Sequence, residues 1–542
     1  MIEQKIKEGK LVGFYLSCQR RHNEGLSNVM GKRWNPGRRA WDIPLTLNNV
    51  YEVASYFKEL PEWLENWYEE ERDRCLRTLQ IHEAEDAELA IPQAKKLYPY
   101  QRIGVKFLVE AERVILADDM GLGKTPVSIL ACKEAGLSKI LVICPNSLKD
   151  HWHNQVLKWE DYYIPVVVEG SKKKRLETLE SLPTENVFVI VNYELVREKD
   201  YYEILEKHKW NAIISDESHV LRNRKTKQTK TVTSLTKKSR YLFLLTGTPI
   251  MNRVEELWSL CHMAYPNEYT SFWNFVKKHA DARPGKYGWI INSEPTDPKK
   301  LREEIEKFYI RREKDEVRKD LPPRTHQAIW VDLEGEQERV YREMEQDAVA
   351  ILAPAEVLTA PIVLAQITRL KQMAVSQDLV SEDPGVIHGS KIQALMDIIE
   401  GTNQKIVVFS QFAKAMKLLS DMLNKEKIGN ALYVGKLKVE DRKKELERFR
   451  EDKSCRVFLS TFGVGGVGLD LTAASIVVRI DKWWTPAVNN QAAERVHRDG
   501  QTKPVTIIDI LAKDTVDEWI EEVLDKKTSI IDLVVNKIKE RK

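Results

Sequence analysis

No stretch of the 542-residue chain reaches the roughly 18 consecutive uncharged apolar residues that a membrane-spanning helix needs. The N-terminus, Met1 to Lys7, has no apolar signal core, so export by that route is not expected. Cysteine is scarce: the six residues, at 18, 75, 132, 144, 261 and 455, are scattered and form no C-x-x-C pair. That excludes a disulfide scaffold and a thiolate zinc site, and fits a reducing cytoplasm. There is no short-period repeat and no long low-complexity tract. Nor does one sign of charge dominate, since 85 basic residues face 82 acidic ones for a net +3. Total charge therefore neither demands nor excludes a nucleic-acid partner; only local clusters bear on that.

What is present describes a globular protein. Hydrophobic residues at 42% are too many for a disordered chain, and charged residues at 31% too many for a membrane bundle. At roughly 150 residues per domain, the length predicts three to four domains. Residues 1–44 carry nine Lys/Arg against four acids, residues 221–240 eight and no acid, and residues 58–90 eleven acids against four bases. The acidic stretch reads as a solvated helical connector. The 221–240 run reads either as a contact to phosphates or as a solvated face.

From about residue 93, short runs that are apolar on both faces alternate with amphipathic segments. They are Val114–Ala117, Ile140–Ile143, Val187–Val191, Ala212–Ile214 and Leu242–Leu245. A second set, Ile406–Phe409, Ala431–Val434, Val457–Leu459, Ile476–Val478 and Val505–Ile508, repeats the pattern. Buried parallel strands look like this. The prediction is an α/β chain of two similar doubly wound lobes. A helix-rich stretch from about 296 to 400 lies between them, with Leu321-Pro322-Pro323 as a hinge. The short basic tail, Asn536 to Lys542, reads as a frayed helix end.

Four motifs carry chemistry. The run Asp118-Asp119-Met120-Gly121-Leu122-Gly123-Lys124-Thr125 follows a strand and opens a helix, the context of a phosphate-binding loop. Backbone N–H groups and the helix N-terminus would face phosphate oxygens, with Lys124 on the β/γ-phosphates and Thr125 on Mg²⁺. Asp118 stands where the strict pattern has glycine, so an ordinary helix-entry turn is the competing reading. Asp216-Glu217-Ser218-His219 ends another strand, 92 residues after Lys124. Phosphoryl transfer needs one carboxylate in the Mg²⁺ shell and one to activate water; Asp216 suits the first role and Glu217 the second. Thr246-Gly247-Thr248-Pro249 ends a third strand, either as a γ-phosphate sensor or as a plain turn capped by Thr248. Arg495 and Arg498, three apart on one helical face, either stabilise charge on a transferring phosphoryl group or belong to a salt-bridged surface helix; composition alone favours the second reading, and the other motifs favour the first. His151-Trp152-His153 is not a metal site: Trp152, Val156 and Trp159 share a helical face, which means packing.

Together these motifs resemble helicase superfamily two, specifically the Swi/Snf-type ATPases, over about residues 95–525. The resemblance implies two RecA-like lobes with ATP and Mg²⁺ between them. It assigns Gln101, within Leu97-Tyr98-Pro99-Tyr100-Gln101, to adenine recognition, and Asp119 through Thr125 to nucleotide binding. It implies DNA contacts at Pro145, in Ile143-Cys144-Pro145, and at Asn192, in Asn192-Tyr193-Glu194. Ser410 and Gln411 would open the second lobe's DNA contacts, joined by Thr461, Gly465, Gly466 and Trp484. Gly468 and Asp470 belong to the loop that couples DNA to nucleotide. The sequence departs from the family pattern at Asp119 (usually Glu), Asp470 (usually Asn), Glu494 (usually Asp) and Asp499 (usually Ile).

The stretch Gly31 to Leu45 reads as strand, tight turn at Asn35-Pro36-Gly37, strand. It resembles the HARP-type module of annealing helicases. Arg33, Arg38 and Arg39 beside Trp34 and Trp41 either bind DNA backbone and unpaired bases, or form a small core with a solvated rim. The resulting division is a small α+β module at 1–57, a connector at 58–92, a first lobe at 93–325, a helical link at 326–400 and a second lobe at 401–542. The expected activity is a DNA-stimulated ATPase that translocates on double-stranded or forked DNA for remodelling, repair, annealing or protein displacement. A strand-separating helicase and an ATP-gated switch that does not move are the alternatives. A monomer without membrane partners is expected, in the cytoplasm of a bacterial or phage-infected cell.

Overall fold

The computed structural model describes the chain except residues 8–9, 19–25, 58, 248–252, 286–287, 293, 353–359, 382–386, 436, 466–468 and 536–542, and the side chains of 347–352, 360–364, 439, 465 and 527–535. The chain divides into two compact units, Met1–Glu313 with Ile530–Lys542, and Lys314–Ser529.

The first unit is built on a seven-stranded, all-parallel sheet. Its strands are β5 (Arg113–Leu116), β6 (Lys139–Cys144), β7 (Ile164–Val167), β8 (Val187–Asn192), β9 (Ala212–Ser215), β10 (Tyr241–Leu245) and β13 (Tyr309–Ile310), in the order β13-β5-β10-β9-β6-β8-β7. Ile140 to Cys144, Val187 to Val191 and Leu242 to Leu245 are all fully buried. Both faces of each strand are covered, which is why these runs are continuous rather than alternating. In such sheets ligands collect where strands end at their carboxyl edge. Here β5, β6, β8, β9 and β10 run directly into the segments beginning at Ala117, Pro145, Tyr193, Asp216 and Thr246.

The N-terminal module belongs to this unit. Its four-stranded antiparallel sheet joins β1 (Ile2–Lys7), β2 (Lys10–Leu16), β3 (Arg33–Asn35) and β4 (Ala40–Pro44) in the order β1-β2-β4-β3. The expected strand–turn–strand is β3 and β4, but the tryptophans do not make the core. Phe14, Leu16, Ile43, Val50 and Val53 do, with Trp41 half-buried against them. Trp34 stands 47% exposed, edge-on to Trp41 with ring centroids 5.4 Å apart. Asn267 donates to the carbonyls of Val12 and Leu45, which docks the module on the larger domain. The acidic stretch forms the expected helix, mostly exposed, and is also held to its neighbours. Its helix, Glu62–Glu83, buries Leu64 and pins itself by Arg74 to Glu112, Arg77 to Glu110 and His82 to the carbonyl of Glu306. An exposed hairpin of β11 (Arg283–Gly285) and β12 (Gly288–Ile290) completes the unit's strands.

The second unit holds a six-stranded parallel sheet of β14 (Arg324–Val331), β15 (Ile406–Ser410), β16 (Gly429–Tyr433), β17 (Cys455–Thr461), β18 (Ile476–Arg479) and β19 (Val505–Ala512). The order is β14-β19-β18-β15-β17-β16. The division between units falls after Glu313, not at 325. Leu321-Pro322-Pro323 is accordingly not the hinge. Pro322 accepts a hydrogen bond from His497 and Pro323 one from the Val505 amide, so this segment is tied to the second unit and leads into its edge strand. Among the described residues no helix is long and apolar enough to cross a membrane.

Candidate active site

The phosphate-loop segment is shaped by residues on both sides of it. Gly121 (φ +83°) and Gly123 (φ +82°) adopt left-handed backbone that other residues resist, and the helix Lys124–Glu134 starts immediately after. Asp118, at the position where glycine is usual, is buried and grips Arg312, whose Nε lies 2.9 Å from its carboxylate. The departure from the strict loop pattern is thus a structural ion pair. Arg311 donates to the carbonyls of Ala117 and Gly247 and pairs with Asp119 at 2.9 Å. Gln101 is buried; its Oε1 accepts from the Tyr98 amide at 3.0 Å and its Nε2 donates to the Leu122 carbonyl at 3.1 Å. In this structure its amide braces the loop. Met120 packs on Gly247, where an added Cβ would lie 2.9 Å from its Cγ.

Lys124 Nζ donates to the carbonyls of Asp118 (2.7 Å) and Asp119 (3.1 Å). Burial pulls its pKa down, against the nearby charges of Glu217, Asp118, Asp216 and Asp119. Asp216 is buried at the end of β9, and its pKa is pushed up to about 6, first by burial and then by Glu217. Its Oδ1 accepts from the Glu217 amide and its Oδ2 from the Trp152 indole N–H, both at 2.9 Å. Glu217 sits at φ +51° with its carboxylate 3.3 Å from His219 Nδ1. Strained backbone at this position is costly for a non-glycine residue and holds the side chain in a fixed direction. Ser218 donates to the carbonyls of Ser215 and Leu245, which locks the acid turn to the end of β10.

This donor set fits a nucleotide phosphate with Mg²⁺. No cluster of three or more His, Cys, Asp or Glu able to hold a metal occurs among the described residues. Mg²⁺ needs no such cluster, because it is commonly held by one or two protein groups with phosphate oxygens and water. Thr125, at the helix start, and Asp216 are the groups present. A divalent cation favours the ionised form of a carboxylate that burial and a neighbouring acid oppose.

The remaining expected residues fall as follows. Pro145 is half-buried at the end of β6, ahead of the exposed Asn146 and Ser147. Asn192, half-buried at the end of β8, donates to Glu194. In the second unit, Ser410 is fully buried, and its hydroxyl bonds Asp481 and accepts from the Phe412 amide, so it shapes the turn rather than offering a surface hydroxyl. Gln411 is half-buried, its backbone N–H donating to Asp481. Thr461 closes β17 and is buried. Gly465 ends a short helix, whereas Gly466, Gly468, Thr248 and Pro249 lie outside the described residues. Trp484 is half-buried, with Lys371 4.6 Å from its ring and Trp519 edge-on to it; its neighbour Trp483 is the exposed member of the pair.

Arg495 and Arg498 do not share a helical face. The helix Pro486–Ala493 ends before them, and both stand in the turn that follows. The Arg495 carbonyl accepts from Leu471, and the Arg498 guanidinium donates to the Leu469 carbonyl at 3.1 Å, so both are anchored to the Asp470 loop. Asp470 is held below its ordinary pKa: burial opposes this, but hydrogen bonds from Thr472 and the charges of Arg498 and Arg450 outweigh it. Glu494 and Asp499, two of the departures from the family pattern, meet basic residues at the start of the unit. Glu494 pairs with Lys314 and Arg324, and Asp499 with Arg318.

The SNF2-related domain family matches residues 100–379, and the helicase conserved C-terminal domain family matches residues 390–500. An uncharacterized ATP-dependent helicase of Mycoplasma genitalium is 30% identical over 455 residues, 81% of this chain and 42% of that protein. A Caenorhabditis elegans homolog of the SWI/SNF-related matrix-associated actin-dependent regulator of chromatin subfamily A-like protein 1 is 26% identical over 527 residues, 93% of this chain and 72% of that protein. The SWI2/SNF2 ATPase core of Sulfolobus solfataricus, solved in complex with dsDNA, is 28% identical with a TM-score of 0.39, covering 81% of this chain and 93% of that one. The chain spans a little under half the length of the first three curated relatives it matches, 42% to 46%. Neither family match reaches the N-terminal module, but the first alone takes in just over half of the chain. The chain belongs to the SNF2-related, Swi/Snf-type ATPases of helicase superfamily two.

Proposed function

We propose that this protein hydrolyses ATP in response to DNA and uses the turnover to move along duplex DNA. The observation that carries the reading is the convergence of the Lys124 loop and the Asp216–Glu217 turn at one edge of one sheet, with Lys124 feeling both acids. The loop amides and Lys124 bind the phosphates, and Glu217 takes the proton of the attacking water. Mg²⁺, held by Thr125 and Asp216, would neutralise charge on the phosphate oxygens. Arg495 and Arg498 stabilise charge on the transferring phosphoryl group. The phosphate loop and acid pair belong to one unit and the two arginines to the other, so turnover requires both, and ligand-driven closure is the matching conformational device.

DNA is gripped through Pro145, Asn192, Gln411, Thr461, Gly465, Gly466 and Trp484, mostly at phosphates, so binding is largely independent of sequence and sensitive to salt. If each closure shifts one set of contacts past the other, hydrolysis becomes stepping. The relatives' names support this reading. Gln101 and Asp470 contribute to the nucleotide site. Remodelling, repair, annealing and protein displacement are the tasks such an engine serves, and a cytoplasmic monomer suffices for it.

The test is ATP hydrolysis at fixed salt with no DNA, single-stranded DNA, blunt duplex and a fork. Strong stimulation by blunt duplex is expected. Stimulation by single strands alone would favour a conventional strand-separating helicase, and a further rise with the fork would point to the N-terminal module, which loss of fork preference on removing residues 1–57 would establish.

A further inference from the structure

Trp152 stands in the chain as a packing residue, yet its position goes further than packing. It is fully buried, and its indole N–H meets Asp216 Oδ2 at 2.9 Å. The other oxygen of that carboxylate is taken by the Glu217 amide, so the acid is fixed at both oxygens. Trp152 lies within the first turn of the helix Lys149–Trp159, which begins where the short turn Asn146–Leu148 ends. Asn146 and Ser147 on that turn are exposed, next to Pro145. A second segment converges on the same acid. Tyr193, beside Asn192, donates to the Asp216 carbonyl at 2.6 Å, with its hydroxyl 2.7 Å from Ser215 Oγ. Each of the first unit's two proposed DNA-contact segments is therefore one buried hydrogen bond away from the acid turn.

We infer that Trp152 is a positioning residue that couples occupancy of the Pro145–Leu148 turn to the placement of the Asp216 carboxylate, with Tyr193 as its counterpart from the Asn192 segment. The indole is a donor only; a phenyl ring lacks that donor but is smaller, whereas a benzothiophene keeps the ring volume and lacks it too. A helix moves as a rigid rod, so a shift of its first turn reaches the indole undiminished, and a hydrogen bond of this length tolerates only a fraction of an ångström. The inference rests on the DNA-stimulated hydrolysis proposed above.

The test compares the unaltered chain with Trp152→Phe, measuring hydrolysis with and without blunt duplex, the Mg²⁺ concentration for half-maximal rate, and duplex affinity. A hydrogen bond to a charged group is worth roughly ten- to a hundredfold. We expect the ratio of DNA-stimulated to basal rate to fall by about tenfold and the half-saturating Mg²⁺ to rise, with duplex affinity within about twofold. Tyr193→Phe should lower the same ratio. A variant that binds duplex and hydrolyses ATP with an unchanged ratio and unchanged Mg²⁺ dependence would reduce Trp152 to packing and overturn the inference. Should Trp152→Phe fail to fold, 3-benzothienylalanine at position 152 replaces the N–H by sulfur at nearly constant volume, and the same outcomes decide. An unaltered chain that no DNA stimulates overturns the function reading and the coupling with it. Stimulation of the unaltered chain with no change in the variants overturns the coupling alone.

Discussion

Gly123→Ala should destabilise the first unit through Gln101 rather than through the loop alone. At φ +82° and ψ +38° an alanine carries a left-handed penalty of roughly 1–2 kcal/mol. Its Cβ would also run into Gln101 Nε2, closer than any such contact sustains, so the side-chain amide must leave. In leaving, it gives up its bonds to the Tyr98 amide and the Leu122 carbonyl, at about 1 kcal/mol each. The expected loss is about 3–4 kcal/mol for Gly123→Ala and about 2 kcal/mol for Gln101→Ala. In the double variant the clash has no partner and the two bonds are already gone. Its loss should match that of Gly123→Ala, leaving a coupling of about 2 kcal/mol between the sites. Urea unfolding followed by circular dichroism, read at the transition that Gly123→Ala shifts, measures this cycle. Losses that add to within about 0.5 kcal/mol would mean that Gln101 does not brace the loop.

Other consequences are as direct. Glu217→Gln should abolish turnover while sparing ATP binding, and retained turnover would remove Glu217 from its role as base. Arg498→Ala should cut hydrolysis at least a hundredfold, about 3 kcal/mol of transition-state charge stabilisation, with ATP affinity little changed; a near-normal rate would refute the assignment. Asp216 keeps its proton to about pH 6 when folded, whereas an unfolded aspartate releases it near pH 4, so folding stability falls as pH rises through that window. Asp216→Asn escapes this loss. Its amide can accept from only one of the Trp152 indole and the Glu217 backbone, at about 1–3 kcal/mol, so the gain at any one pH is offset. Without Mg²⁺ the variant's stability should lose the fall from about pH 4 to about pH 6 that Asp216 gives the parent, and the variant should be inactive; an unchanged fall would contradict the burial argument.

The strands that the sequence displayed were those with both faces buried. Every apolar run from Val114 to Ile508 became a strand of one of the two parallel sheets. What it hid lies at the edges. β14, Arg-Thr-His-Gln-Ala-Ile-Trp-Val, has no buried residue and opens on four polar ones, so the stretch read as a link although it ends on the apolar run Ala328 to Val331 and pairs with β19 along its whole length. β13 is two residues long, too short for periodicity to register, and β7, Ile-Pro-Val-Val, is an edge strand with an exposed first residue and a proline. The motif acids, Lys124 and the loop glycines were legible because phosphate chemistry demands those residue types in sequence. Arg495 and Arg498 were legible as charges but not as geometry, since nothing in Gln491 to Gln501 marks the helix end at Ala493. The bond from Trp152 to Asp216 spans 64 residues, and helical spacing identifies a buried tryptophan without saying what its N–H meets. The partners of Glu494 and Asp499 were hidden likewise, because each lies more than 160 residues away in Lys314, Arg318 and Arg324.

The central claim is that ATP turnover drives movement on duplex DNA, and displacement of a third strand from a DNA triplex measures that movement without requiring the duplex to open. The unaltered chain should release the third strand in the presence of ATP, and Glu217→Gln should bind the same DNA and ATP and release nothing. Hydrolysis stimulated by duplex without any displacement would contradict the claim and leave an ATP-gated clamp in its place.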